Sequence, residues 1–142
     1  MTNKTAYPLL SVEDLKVRFS TERGPVTAVN GIGFTLEEGK VLGLIGESGS
    51  GKSVTMRALL RILPSRRTTV TGRVTMSGAD VLALKGRSLS AYRGGDVAMI
   101  FQEPALSLDP VFTIGRQIAE TVVRHKGVSM ADARRRALEM LE

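Results

Sequence analysis

The sequence predicts an α/β fold, and three observations carry that prediction. Alternating apolar and polar residues over Leu9–Phe19 and Thr69–Met76 mark strands with one wet face. Two short continuous apolar runs, Val41–Ile45 and Val97–Phe101, suit strands buried on both faces, as in a parallel sheet under helices. Stretches with apolar residues at i, i+3, i+4 and i+7 read as core-facing helices.

In chain order, Leu10, Val12, Leu15, Val17 and Phe19 outline the first strand. The pattern slips at Glu13-Asp14, where a turn or bulge is expected. Arg23-Gly24-Pro25 is a turn signal, and Val26–Leu36 is a second strand, bent at Asn30-Gly31 and Gly33. After the polar turn Glu37–Gly39 comes the buried run Val41–Ile45. Met56, Leu59, Leu60 and Leu63 then form a helical stripe, with Arg57 and Arg61 on the other face and Pro64 as the stop. Ser77-Gly78 turns the strand Thr69–Met76. Ser88–Arg93 is a short helix closed by Gly94-Gly95. Val97–Phe101 leads into a loop, Gln102–Pro110. Ile114, Ile118, Thr121, Val122 and His125 share a helix face, and Ser129 with Asp132 resembles a capping box that opens a last helix.

Composition narrows the function. The chain has 142 residues and 42% apolar content, ordinary for a globular domain. It has no cysteine, which excludes a disulfide scaffold, a thiolate metal site and a cysteine nucleophile. No run reaches the ~18–20 apolar residues that span a bilayer, and Met1–Ser11 lacks the pattern of a signal peptide. The formal net charge of +6 is spread along the chain. Its densest runs, Arg66-Arg67 and Arg134–Arg136, have no interleaved aromatic residue, so they read as solvated faces and no nucleic-acid partner is expected.

The chemistry sits in Gly46-Glu47-Ser48-Gly49-Ser50-Gly51-Lys52-Ser53, which fits G-x-x-x-x-G-K-[ST] at every fixed position. A polyphosphate must be met by many donors converging on a small volume. Glycines let a loop turn sharply and bring backbone N–H groups close. The following helix points its free N–H groups and positive dipole end at the phosphates. Lys52 offers a full charge to the β- and γ-phosphates, and Ser53 offers a hydroxyl to Mg²⁺. The motif follows a predicted buried strand and opens an amphipathic helix, the context of a P-loop (Walker A) NTPase core. A guanine-specific N-K-x-D is absent, because Asn3-Lys4 is followed by Thr5-Ala6. No apolar strand ends in an acid that could hold Mg²⁺ and position water, since Val97–Phe101 runs into Gln102-Glu103.

Beyond the loop, the chain resembles the ATP-binding subunits of ABC transporters, and more narrowly the dipeptide/oligopeptide/nickel importers. The resemblance rests on Leu15–Phe19, Thr27–Asn30, Leu42–Ser53, Arg93–Gly95, Ala98-Met99-Ile100-Phe101-Gln102-Glu103-Pro104, Ser107-Leu108-Asp109-Pro110 and Gln117–Glu120. It runs from about residue 9 to the end. The phosphate loop is generic, while the Phe-Gln-Glu-Pro and Ser-Leu-Asp-Pro stretches are much more specific. Asp109 departs from the Asn frequent in this group.

The resemblance implies the following roles. Phe19 is the ring that stacks on adenine, with Val26 near the sugar. Gly46, Glu47, Ser48, Gly49, Ser50, Gly51, Lys52 and Ser53 hold ATP. Lys52 and Gln102 act in catalysis, and Ser53 and Gln102 in the Mg²⁺ shell. Residues Glu103–Val111 lie near the permease. His125 is too early in the chain to be the switch histidine of such ATPases and reads as a helix-edge residue.

The same resemblance implies a P-loop core with an antiparallel β portion over residues 9–112, and the start of a helical subdomain over 113–142. A Leu-Ser-Gly-Gly-Gln signature, an acid strand and a switch histidine are absent from the sequence. The expectation is therefore a truncated, N-terminal portion that hydrolyses ATP poorly alone. The intact protein is expected to drive import of peptides or nickel, paired with a second ATP-binding subunit and with transmembrane permease subunits. Its place is the cytoplasmic face of the bacterial inner membrane, peripheral and without inserting itself. A non-catalytic nucleotide-binding fragment, or another P-loop NTPase such as a small-molecule kinase, is the alternative.

Overall fold

The spacing of apolar residues decides the shape of the first strand. In the computed structural model, which describes residues 8–103 and 107–142, β1 spans Leu10–Thr21. Its core residues stand at 10, 12, 15 and 17, and a regular strand would put the two pairs on opposite faces. A bulge restores them to one face. Asp14 takes φ 46°, and the register against β2 (Gly24–Leu36) jumps between Val12 and Leu15. Leu10, Val12, Leu15 and Val17 are all buried. The slip expected at Glu13-Asp14 is this bulge. The bend expected in β2 is real as well: Leu15 faces Ile32 while Lys16 faces Asn30, which leaves Gly31 unpaired at φ +73°.

On its other edge β1 pairs with β3 (Thr68–Met76), where Gly72 passes the bulge at φ +107°. A Cβ there would lie 2.5 Å from the Asp14 carbonyl oxygen and 2.7 Å from that of Glu13. Glycine is therefore required on both steric and backbone grounds. A short β4 (Ala79–Asp80) completes an antiparallel sheet of order β2-β1-β3-β4. Helix α1 (Lys52–Leu59) buries Thr55, Ala58 and Leu59. These join Leu15, Val17, Val29, Val74 and Val81 among the buried residues of the first compact unit, which ends at Leu89. Each such Val or Leu contributes about 1.5–3 kcal/mol by leaving water.

Several expectations are corrected here. Val41–Ile45 is not a strand: among the described residues it pairs with nothing, and Val41 and Ile45 are each 98% exposed. Val97–Phe101 makes only an isolated bridge between Val97 and Arg93, with Ile100 94% exposed. Parallel strands need flanking ladders and covering helices, and the described residues offer these runs neither. The α1 stripe is rotated, because Met56 is exposed and Ala58 takes the core position. Arg61 is not on a wet face. It takes φ 55° past the end of the helix, and its guanidinium donates to the carbonyls of Val81 and Leu84.

The second unit, Ser90–Glu142, is mostly helical. Helix α2 (Gly86–Ala91) runs into a tight turn over Tyr92–Asp96, where Gly94 at φ 83° lies against the His125 ring. Tyr92 is buried, and burial, helped by nearby Asp96, raises its phenol above its ordinary range. Helix α3 (Ile114–Lys126) starts at the Thr113 cap and stops at Gly127, whose left-handed conformation lets its N–H reach Val123 O. Helix α4 (Met130–Glu139) packs on α3 through Ala119, Ala133 and Ala137, edged by Ile118, Val122, Val123 and Val128. The α3 face is thus centred on Ala119, and Thr121 and His125, expected on it, are exposed. Ser129 caps α4 as predicted, accepting from Asp132 N–H at 3.1 Å, and its hydroxyl donates to the Asp132 carboxylate at 2.7 Å. Arg134–Arg136 are solvent-exposed.

Candidate functional site

The glycine-rich stretch Gly46–Ser53 forms an open loop that ends in α1. Gly49 takes φ +81° and Gly51 φ +90°, and the Ser50 N–H closes a turn onto Glu47 O at 3.3 Å. Gly51 stands where the loop meets the sheet: a Cβ there would lie 2.5 Å from Ala28 O and 3.3 Å from Val29 Cγ2. The first turn of α1 therefore rests directly on the backbone of β2. Thr55, buried, secures it by donating from both its N–H (2.8 Å) and its hydroxyl (3.0 Å) to Gly51 O. No side chain caps this helix, and its first turn carries no acid. Its N-terminal N–H groups are left for an anion.

Lys52 folds back into the loop. Its ammonium donates to Gly46 O at 2.6 Å, to Glu47 O at 2.6 Å and to Ser50 Oγ at 3.2 Å. Three donors meet three acceptors, which holds the positive charge within the loop. Gly46 lacks a side chain for a local reason, since a Cβ would lie 2.7 Å from Ser50 Oγ. Ser53 is exposed at the start of the helix. A loop with left-handed glycines at 49 and 51, an uncapped helix start and an inward lysine fit a polyphosphate. Among the described residues no three His, Asp or Glu side chains gather as metal ligands.

The other predicted residues stand elsewhere. Phe19 is half-buried near the end of β1, between Val26 and Thr68. It lines a cavity of about 490 Å³ with Ser20, Thr21, Arg23, Pro64 and Arg67, and no residue of Gly46–Ser53 lines that cavity. Gln102 and Glu103 belong to the second unit and are exposed, and Pro104 lies outside the described residues. Ser50 as an acceptor for Lys52 was not legible beforehand, because motif spacing says nothing about side-chain direction.

The loop and its helix have the form that suits a phosphate, and the chain belongs to the ABC transporter family, whose model matches residues 29–142. Among its relatives is a probable peptide ABC transporter ATP-binding protein of Sinorhizobium fredii, 47% identical over 141 residues, 99% of this chain and 42% of the relative. The oligopeptide transport ATP-binding protein OppD of Salmonella typhimurium is 44% identical over 96% of this chain and 41% of its own length. The dipeptide transport ATP-binding protein DppD of Lactococcus lactis is 43% identical, with 94% and 39% covered. The chain thus spans about two fifths of the length of these relatives. No helix among the described residues is long and apolar enough to cross a membrane.

Proposed function

We propose that this chain is the ATP-binding portion of the energy-supplying subunit of a peptide importer. The observation that carries the proposal is Lys52 held inside a glycine loop at an uncapped helix start. Backbone N–H groups of Gly46–Ser53 would hold the phosphates, with Lys52 matching their charge and Ser53 offering its hydroxyl to Mg²⁺. Phe19 would stack on adenine, and Gln102 would join the Mg²⁺ shell. When bound, Mg²⁺ neutralises charge on the phosphate oxygens.

Peptide is the proposed cargo because the relatives named above carry peptide, oligopeptide or dipeptide in their names. Nickel draws no such support. We assign residues 9–112 to a P-loop core and 113–142 to the start of a helical subdomain. Val41–Ile45 and Val97–Phe101 would become sheet strands once neighbours cover them, and their exposed valine and isoleucine side chains support that reading. The working assembly would pair two such subunits with membrane-spanning permease subunits at the cytoplasmic face of the membrane.

Titration with a fluorescent ATP analogue tests the core of the proposal. Hydrogen bonds to charged groups contribute ~1.5–3 kcal/mol. Lys52→Ala is therefore expected to weaken binding by roughly ten- to a hundredfold. Equal affinity in the variant and the parent would refute the site.

A further inference from the structure

The cavity beside Phe19 carries charge that the fold itself does not use. Glu22, Arg23, Arg67 and Thr68 line its 490 Å³ together with the ring. Thr21 pairs with Gly24, so Glu22 and Arg23 are the two residues of the turn between β1 and β2. The Thr21 hydroxyl clips that turn by donating to Gly24 O at 2.7 Å. Arg67 comes from the segment leading into β3, and the Ser20 N–H ties that segment to β1 by donating to Arg67 O at 2.8 Å. Among the described residues, the Glu22 carboxylate and the Arg23 and Arg67 guanidinium groups take part in no hydrogen bond or ion pair.

The cavity is spaced from the glycine-rich loop as a base is from its phosphates. Gly51 rests on Ala28 and Val29, Val29 pairs with Val17, and Phe19 stands two residues further along β1. That interval is about 7 Å at ~3.4 Å per residue, room for a ribose.

The two purines present different edges. Guanine has an edge of acceptors only, O6 and N7, and an edge of donors only, N1–H and the N2 amine. Adenine sets its N6 amine, a donor, beside an acceptor on either side, N7 or N1. A guanidinium only donates and a carboxylate only accepts. Each can therefore make two matched hydrogen bonds to guanine and only one to adenine. An Asn or Gln amide, which matches adenine, is missing from the residues that line the cavity. The chain lacks N-K-x-D, so guanine would be read here by other residues.

We propose that this site takes GTP at least as tightly as ATP, with Arg67 reading O6 and N7 of a guanine stacked on Phe19, and Glu22 reading N1–H and the N2 amine. This rests on the nucleotide-binding reading above and widens its substrate from ATP to purine nucleoside triphosphates.

The test uses the full chain, with unlabelled ATP, GTP and inosine triphosphate competing against a fluorescent ATP analogue in the presence of Mg²⁺. GTP is expected to bind between equally and about tenfold more tightly than ATP, the scale of one matched pair. Inosine triphosphate, which lacks the N2 amine, should bind about threefold more weakly than GTP, the scale of one hydrogen bond. Glu22→Gln should erase that difference. Arg67→Gln, whose amide matches adenine, should move the preference about tenfold toward ATP. Loss of affinity for all three nucleotides together in these variants, with their ratios unchanged, shows a structural role and overturns the assignment. ATP binding about threefold or more tightly than GTP in the parent overturns the inference and leaves the phosphate site standing. Lys52→Ala should weaken all three nucleotides equally; if it weakens none, the nucleotide site itself is refuted and the base assignment with it.

Discussion

Gly51→Ala places a methyl group where the glycine-rich loop meets the sheet. The new Cβ would sit 2.5 Å from Ala28 O, about 0.9 Å short of ordinary contact at 3.4 Å, and the obstacle is backbone rather than a flexible side chain. Moving α1 off β2 by that amount is an overpacking event costing ~1–3 kcal/mol. Alanine at φ +90° adds about 1–2 kcal/mol of left-handed strain. The total is roughly 2–5 kcal/mol, a large share of the ~5–15 kcal/mol that stabilises an ordinary domain. Gly49 provides the control. Its φ is also positive, at +81°, but a Cβ there meets nothing within 4 Å. Gly49→Ala should therefore cost only the backbone share, about 1–2 kcal/mol. Urea unfolding followed by circular dichroism separates the two. With slopes of ~1–3 kcal/mol per molar urea, Gly51→Ala should lower the midpoint by about 1 M or more, and clearly further than Gly49→Ala. Coincident midpoints for the two variants would refute the contact between α1 and β2.

Two further predictions concern the helical unit. The Ser129 hydroxyl first, then the charge of Arg135, holds the Asp132 carboxyl below its ordinary value of 3.8. A carboxylate depressed in the folded state stabilises above its unfolded pKa and loses that contribution as pH falls through the folded one. Thermal melts of the parent should thus fall faster below about pH 3.8 than those of Asp132→Asn, and parallel profiles would contradict the assignment. Ala133→Leu should destabilise by ~1–3 kcal/mol, because Ala133 is fully buried where α3 meets α4; an unchanged melting temperature would show that these helices are not packed through their alanines.

Much of the first unit was legible in the residues. The step from Val12 to Leu15 breaks the two-residue period of a strand, and only a bulge reconciles it with a single buried face. The glycine-rich loop at the start of α1 was legible because Gly46, Gly51 and Lys52 stand at fixed spacing just ahead of a helical stripe. The inward turn of Lys52 onto Gly46 and Glu47 carbonyls was not, since no spacing rule fixes a rotamer. Arg61 was misread for a related reason. The helix ends at Leu59, so the helical wheel no longer applies to Arg61, which reaches Val81 and Leu84 from a left-handed residue. Gln117 entered only through the resemblance at Gln117–Glu120; its bonds to the Asp109 N–H, the Asp109 carbonyl and the Phe112 carbonyl were not legible, because these are backbone atoms five to eight residues away.

By itself, then, the sequence determined the local chemistry: the alternation that makes β1 and β3, the glycine-rich turn at Gly46–Ser53, and the cap at Ser129. These depend on backbone preference and on neighbours within a few residues. Tertiary structure alone decided which apolar residues are buried. Val41–Ile45 and Val97–Phe101 have the composition of core strands, yet among the described residues the first pairs with nothing and the second makes only the bridge from Val97 to Arg93, because a strand is made by its partners. The small contact residues Ala58 and Ala119 were decided in the same way. Where two backbones pack closely, alanine fits and larger apolar residues such as Met56 and Ile114 are left exposed.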